Sequence, residues 1–213
     1  MLLMTGVVLA IEAATFDYGS ESRWSAGAAS DSDVTEGGNI TYGNVTATSL
    51  TDRWAAYFGN VSGTIRLWDG TNSVYTWTVT GGSEAGEVCA STGTTFAFGS
   101  SAATTGAEID TAFGLGTAAD TAVDTFTDAT SVNLQFSQAT VASSAYADHA
   151  AGTYWTAAIE DTGTPTESDL AFCTNVSSTG NPYLGGTAHY EVMVPTTPGV
   201  SSSETYYFYL ELN

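Results

Sequence analysis

Residues 206–213, YYFYLELN, alternate without a break: Tyr206, Phe208, Leu210 and Leu212 project one way, and Tyr207, Tyr209, Glu211 and Asn213 the other. A period of two is the signature of a pleated strand, so this closing passage reads as a core β-strand that pins the end of the chain. The stretch 188–194 ahead of it has the same character. Working backward, Val132, Leu134 and Phe136 alternate over 132–136, and β-prone stretches fall at 141–146, 153–159 and 169–173. Nearer the start, 40–48, 63–68, 74–79, 87–90 and 94–98 are β-prone and bounded by Gly, Asn, Asp and Thr. In WDGTNSVYTWTV, Asp69-Gly70 and Asn72 separate two such runs, and Tyr75, Trp77 and Val79 alternate with Thr76, Thr78 and Thr80. That pattern predicts a hairpin with a longer loop. Only 107–127 departs from it: Ile109, Ala112 and Phe113 share helical spacing and Gly114 follows as a stop, so one or two short helices are expected over one end. About ten short strands with little helix and no long-period repeat predict an all-β fold, a jelly-roll or Ig-like β-sandwich.

Length and charge narrow the class. The 213 residues suit one sandwich domain with an extension, and 43% hydrophobic with 12% aromatic residues supply a core. Three Arg, no Lys and 23 acidic residues give a net charge of −20. Such a field repels phosphates, so nucleic acid is excluded as a partner, and the charge reads as a solvated surface suited to high salt. Cys89 and Cys173 make an even count with no CxxC pair, which predicts one disulfide in an oxidising compartment, contributing on the order of 4 kcal/mol by chain entropy. Asn39, Asn44, Asn60 and Asn175 each open an N-x-S/T triplet, whereas Asn181 is followed by Pro182. Together these features predict an extracellular or cell-surface protein carrying N-linked glycans.

The head of the chain, MLLMTGVVLAIEAATF (1–16), is apolar where the rest is acidic and hydroxyl-rich. No basic residue precedes Arg23, so the run lacks the charged region of a secretory signal and reads as a retained segment. As a helix it reaches about 24 Å, short of the roughly 30 Å hydrocarbon core, whereas as a strand it covers roughly 50 Å. Leu3, Val7, Leu9, Ile11 and Ala13 form a bulky face, with Thr5 and Thr15 on it, and Glu12 falls on the other beside Leu2, Met4, Gly6, Val8, Ala10, Ala14 and Phe16. An exposed apolar strand needs a partner, and a sandwich that lacks an edge strand supplies one by strand addition. Donor and acceptor are different surfaces, so the contact runs head to tail and generates a homopolymer. The expected organisation is an apolar donor strand over 1–16 with Leu3, Val7, Leu9, Ile11 and Phe16 as its assembly residues, a Gly/Ser/Asp-rich connector over 17–38, and the sandwich over 39–213.

Chemistry finds no constellation. His149 and His189 lack metal-ligand spacing, no G-x-S-x-G occurs, and Gly114-Leu115-Gly116 lacks the third glycine of a dinucleotide loop. Asp31, Asp33 and Glu36 form a thin calcium candidate without the glycine and terminal Glu of a calcium loop. Trp54, Trp68, Trp77 and Trp155 have the stacking faces of a sugar platform, and at strand positions they read as core or interface. No enzyme and no cofactor is expected.

The hydrophobic N-terminal segment, the Lys-free, sequon-bearing body and the closing VPTTPGVSSSETYYFYLEL together resemble archaeal extracellular filament subunits, the bundling pili related to the TasA biofilm fibre proteins. The resemblance implies a jelly-roll subunit whose N-terminal strand, here 1–16, enters the next copy in a cell-surface filament. A type IV pilin-like subunit with a helical N-terminus and a monomeric carbohydrate-binding or adhesin module are the other readings. The assembled filament is expected not to span a membrane, and the pilin reading would need a much longer apolar helix than 1–16 supplies.

Overall fold

The computed structural model describes residues 11–25, 34, 36–81, 85–127, 132–136, 140–143, 145–149, 153–183, 185–199 and 203–212. In chain order the strands and helices are β1 (Glu12–Ala13), β2 (Trp54–Gly59), β3 (Gly63–Trp68), β4 (Ser73–Val79), β5 (Ala85–Ser91), β6 (Ala102–Ala103), α1 (Gly106–Phe113), α2 (Ala122–Thr125), β7 (Val132–Gln135), β8 (Thr140–Ser143), β9 (Ala145–His149), β10 (Tyr154–Glu160), β11 (Leu170–Asn175), β12 (Tyr190–Pro195) and β13 (Tyr207–Leu212). The fold is all-β, and every pairing is antiparallel.

Seven strands form the central sheet in the order β1-β13-β5-β11-β10, and β9 and β6 share the outer edge of β10. Side-chain parity sorts its residues onto two faces. Val88, Ala90, Ala158, Leu170, Phe172 and Phe208 pack into one core with Val192 and Val194 of β12, Ile109 and Phe113 of α1, and Leu115. Cys89, Ala157, Ile159, Ala171, Cys173 and Tyr209 face the other way and join Leu134 and Val141 of the β7–β8 hairpin. The central sheet is therefore covered on both faces, which is why AFC in β11 and AAI in β10 are continuously apolar instead of alternating. Cys89 and Cys173 stand opposite each other in the β5–β11 register and are joined as the expected disulfide.

The helical insert follows from its caps. Glu108 N–H donates to Thr105 Oγ1 at 3.3 Å, and Thr105 N–H donates back to Glu108 Oε2 at 2.8 Å, closing a capping box. Ile109 and Phe113, one turn apart, are buried, and Gly114 ends α1 in the left-handed region at φ 62°. Among the described residues no helix is long and apolar enough to cross a membrane.

Three local expectations change. The stretch 40–48 is β-prone yet forms no strand; Ile40 and Val45 are fully exposed, because propensity without a surface to cover does not order a strand. Residues 94–98 form a loop that drives Phe98 into the core, and 141–146 divides between β8 and β9, which belong to different sheets. Conversely, WAAYFG folds as β2 beside β12, which its weak alternation had not announced.

Candidate assembly groove

The second sheet, β12-β2, is much narrower than the sheet it covers. β12 lies across β10, β11 and β5, and β2 is hydrogen-bonded on one side to β12 in the register Tyr190↔Gly59 through Pro195↔Trp54. Both ends of β2 are fixed. At its start, Arg53 Nη1 donates to Asp120 Oδ1 at 3.0 Å, Arg53 Nε to the Leu115 carbonyl at 2.9 Å, Thr51 Oγ1 to Asp120 Oδ2 at 2.6 Å, and Trp54 Nε1 to the Asp120 carbonyl at 2.7 Å. The Thr51 hydroxyl and then the Arg53 guanidinium hold the Asp120 carboxyl below its ordinary range. At its far end His189 N–H donates to the Gly59 carbonyl at 2.7 Å, and Val61 N–H donates to His189 Nδ1 at 2.9 Å.

The other edge of β2 pairs with no strand among the described residues. Residues of β2 line a groove of about 1560 Å³ together with the chain from Glu12 to Trp24, Gly63 and Thr64 of β3, and Val88, Phe208, Leu210 and Leu212. Phe16 stacks on Phe208 with centroids 4.4 Å apart, and Tyr57 meets both rings edge-on at 5.5 and 5.1 Å. Burial raises the Tyr57 hydroxyl above its usual range, and burial with Tyr57 nearby pushes Tyr190 up to about 12, so these phenols are neutral hydrogen-bonding groups at physiological pH. The outer edge of β2 thus has no strand partner among the described residues, and apolar side chains line the groove beside it.

The assembly residues fall on either side of the described boundary. Ile11 is buried against the hairpin-side core, Glu12 and Ala13 pair with Leu210 and Tyr209, and Ala14 N–H donates to the Phe208 carbonyl at 2.7 Å, so this part of the apolar run docks on β13 of its own chain. Phe16 lies 39% exposed at the groove mouth. Leu3, Val7 and Leu9 lie outside the described residues. So do Asp31 and Asp33 of the calcium candidate, while Glu36 is exposed. Among the described residues no three His, Cys, Asp or Glu side chains gather as a metal site. Asn39, Asn44 and Asn60 are exposed, whereas Asn175 ends β11 with its Oδ1 buried. Trp54 and Trp155 are half-buried, as core or interface residues would be, but Trp68 and Trp77 stand 53% and 48% exposed on β3 and β4.

Two buried polar clusters lie outside the groove. His149 Nδ1 is 2.9 Å from Glu191 Oε1, and His149 Nε2 is 3.0 Å from Thr156 Oγ1. Thr156 Oγ1 also accepts the Met193 N–H at 2.9 Å, and Tyr183 N–H donates to Glu191 Oε2 at 2.8 Å. Carboxylate, imidazole and hydroxyl lie in the order of a nucleophile triad, but Thr156 has no exposed surface and its hydroxyl is held by the Met193 N–H as well as His149, so the cluster ties β9–β10 to β12 as a polar clamp. The second cluster brings Glu87 of β5 near Glu211 of β13, with Gln135 N–H donating to Glu87 Oε1 at 3.1 Å.

Comparison with known proteins finds no family model, no curated protein and no solved structure that matches the chain.

Proposed function

We propose that this protein is the structural subunit of an extracellular filament, polymerising head to tail by placing the apolar N-terminal strand of one copy in the groove of the next. The observation that carries this reading is the outer edge of β2, which pairs with no strand among the described residues and borders a groove lined by Val88, Phe208, Leu210 and Leu212, in a chain that carries the apolar stretch MLLMTGVVLA. Among the described residues the apolar run pairs with β13 only at Glu12 and Ala13, opposite Leu210 and Tyr209. An extended stretch of ten residues covers roughly 33 Å, longer than β2. Residues 11–16 then anchor the donor to its own sandwich. Donor and acceptor differ, so the contact propagates as an open polymer. The disulfide and the exposed Asn39, Asn44 and Asn60 fit an oxidising, glycosylating compartment.

One observation favours a second reading. The docking of Glu12 and Ala13 on their own β13 suits a monomeric surface module whose N-terminus completes its own sheet. A helical pilin-like N-terminus gains nothing from residues 11–16, which contain no helical turn. Electron microscopy of the purified protein, full-length and with Leu9→Asp, separates these readings. Filaments from the full chain and none from Leu9→Asp, with unchanged near-UV circular dichroism, are expected, because burying an aliphatic side chain contributes roughly 1.5–3 kcal/mol and a carboxylate reverses that gain. Filaments that persist in Leu9→Asp overturn the donor-strand reading; a full-length protein that never forms filaments establishes the monomeric module.

A further inference from the structure

The β3–β4 hairpin is a second unfinished surface: Gly63 and Thr64 at the start of β3 border the groove and Ile65 and Val79 pack on the core, while the rest of the ribbon stands away from both. β4 pairs with β3 alone, and neither strand is hydrogen-bonded to any other described strand. Cross-strand register places Ile65 opposite Trp77 and Leu67 opposite Tyr75, which makes one side of the ribbon a continuous apolar face. Leu67, Tyr75 and Trp77 on it are 55%, 58% and 48% exposed, and the Tyr75 and Trp77 rings touch edge-on at 4.7 Å. A two-stranded ribbon with its aromatics in water is marginal on its own, so this face is built to be covered.

The edge chemistry says what covers it. Sheet proteins guard open edges with Lys, Pro or charge. β3 carries Arg66, but β4, SVYTWTV, carries no charge and no proline in a chain with 23 acidic residues. An unguarded, β-branched and aromatic edge seven residues long presents a row of backbone donors and acceptors whose complement is another strand. The edge is also self-complementary. Laid antiparallel against itself about its central residue, β4 sets Thr76 opposite Thr76, Tyr75 opposite Trp77 and Val74 opposite Thr78 of a second copy. The aromatics then form one four-ring cluster on one face, and the threonines meet on the other. Two hairpins become a four-stranded sheet through an isologous contact that closes on itself.

We propose that β4 is a two-fold docking edge that pairs with β4 of a second copy of this chain, independently of the N-terminal strand. The contact joins subunits side to side, whereas the groove joins them end to end. Its geometry makes Thr76 the reporter. Directly opposed residues of an antiparallel pair have Cα atoms about 4.5–5.5 Å apart, inside the span of a disulfide, and the native Cys89 and Cys173 are wholly buried. The full chain carrying Thr76→Cys, and the same chain carrying Leu9→Asp as well, are oxidised mildly and run on a non-reducing gel beside Thr71→Cys in the exposed hairpin loop. Covalent dimers that form with Thr76→Cys in both backgrounds, many-fold faster than with Thr71→Cys, are expected. Thr76→Cys that stays monomeric, or that cross-links no faster than Thr71→Cys, overturns the proposal. Cross-linking that vanishes with Leu9→Asp also overturns it, since the contact is then a by-product of polymerisation. Filaments that fail to form while the cross-link persists remove the end-to-end reading and leave this one standing.

Discussion

Glu87 and Glu211 are acidic residues in the interior of a chain that has abundant surface for acids, and burying a carboxyl group favours its protonated form. Burial, opposed by the Gln135 N–H and reinforced by Glu211 nearby, pushes Glu87 up to about 7. In the unfolded chain the same group ionises around its ordinary 4.5. Between those values the unfolded state has released a proton that the folded state still holds, so stability falls as pH rises from about 4.5 to about 7 and is level beyond. Glu167, raised by burial and by Glu204, acts in the same direction, while Asp120, Asp169 and Glu108 are held low by hydroxyl hydrogen bonds and matter only in stronger acid. Urea unfolding at about pH 5 and about pH 8 is expected to show a loss on the order of 3 kcal/mol, and Glu87→Gln to remove most of it. A stability that rises over this range overturns the assignment.

At the level of elements, α1 stands on its cap. Thr105→Ala removes the acceptor for Glu108 N–H and half of the capping box, and is expected to lower stability by about 1 kcal/mol, read as a drop in the urea midpoint with unchanged slope. The helix was legible because Ile109 and Phe113 are four apart and Gly114 follows. β13 and the β3–β4 hairpin were legible for an equally local reason, a period of two. β2 was not: Ala55 and Ala56 interrupt the alternation, and the strand is recognisable only beside β12, more than a hundred residues later. The stretch 40–48 erred in the opposite sense, with strand propensity and nothing to pack against. The groove escaped the sequence altogether, since Phe16, Tyr57 and Phe208 meet only once both sheets have formed. The cysteine count announced a disulfide; that its halves face each other across adjacent central strands is a matter of register, which no count contains.

Over the whole molecule the charge is distributed as the layers demand. The central sheet is covered on both faces, the acids lie largely outside it, and the three arginines are spread over three settings. Arg53 is tied to Asp120 and Leu115, Arg66 sits within a hydrogen-bonded strand, and Arg23 lies exposed in extended chain between β1 and the sandwich. A protease that cleaves after basic residues therefore meets one open bond in the folded protein. Limited trypsin digestion is expected to cut first after Arg23 and leave the remainder intact; first cleavage after Arg66 would mean that the hairpin opens more readily than the connector. In the proposed filament the same bond is the covalent thread between a subunit and the strand it lends to its neighbour, so there a single nick turns every such link into a loose peg.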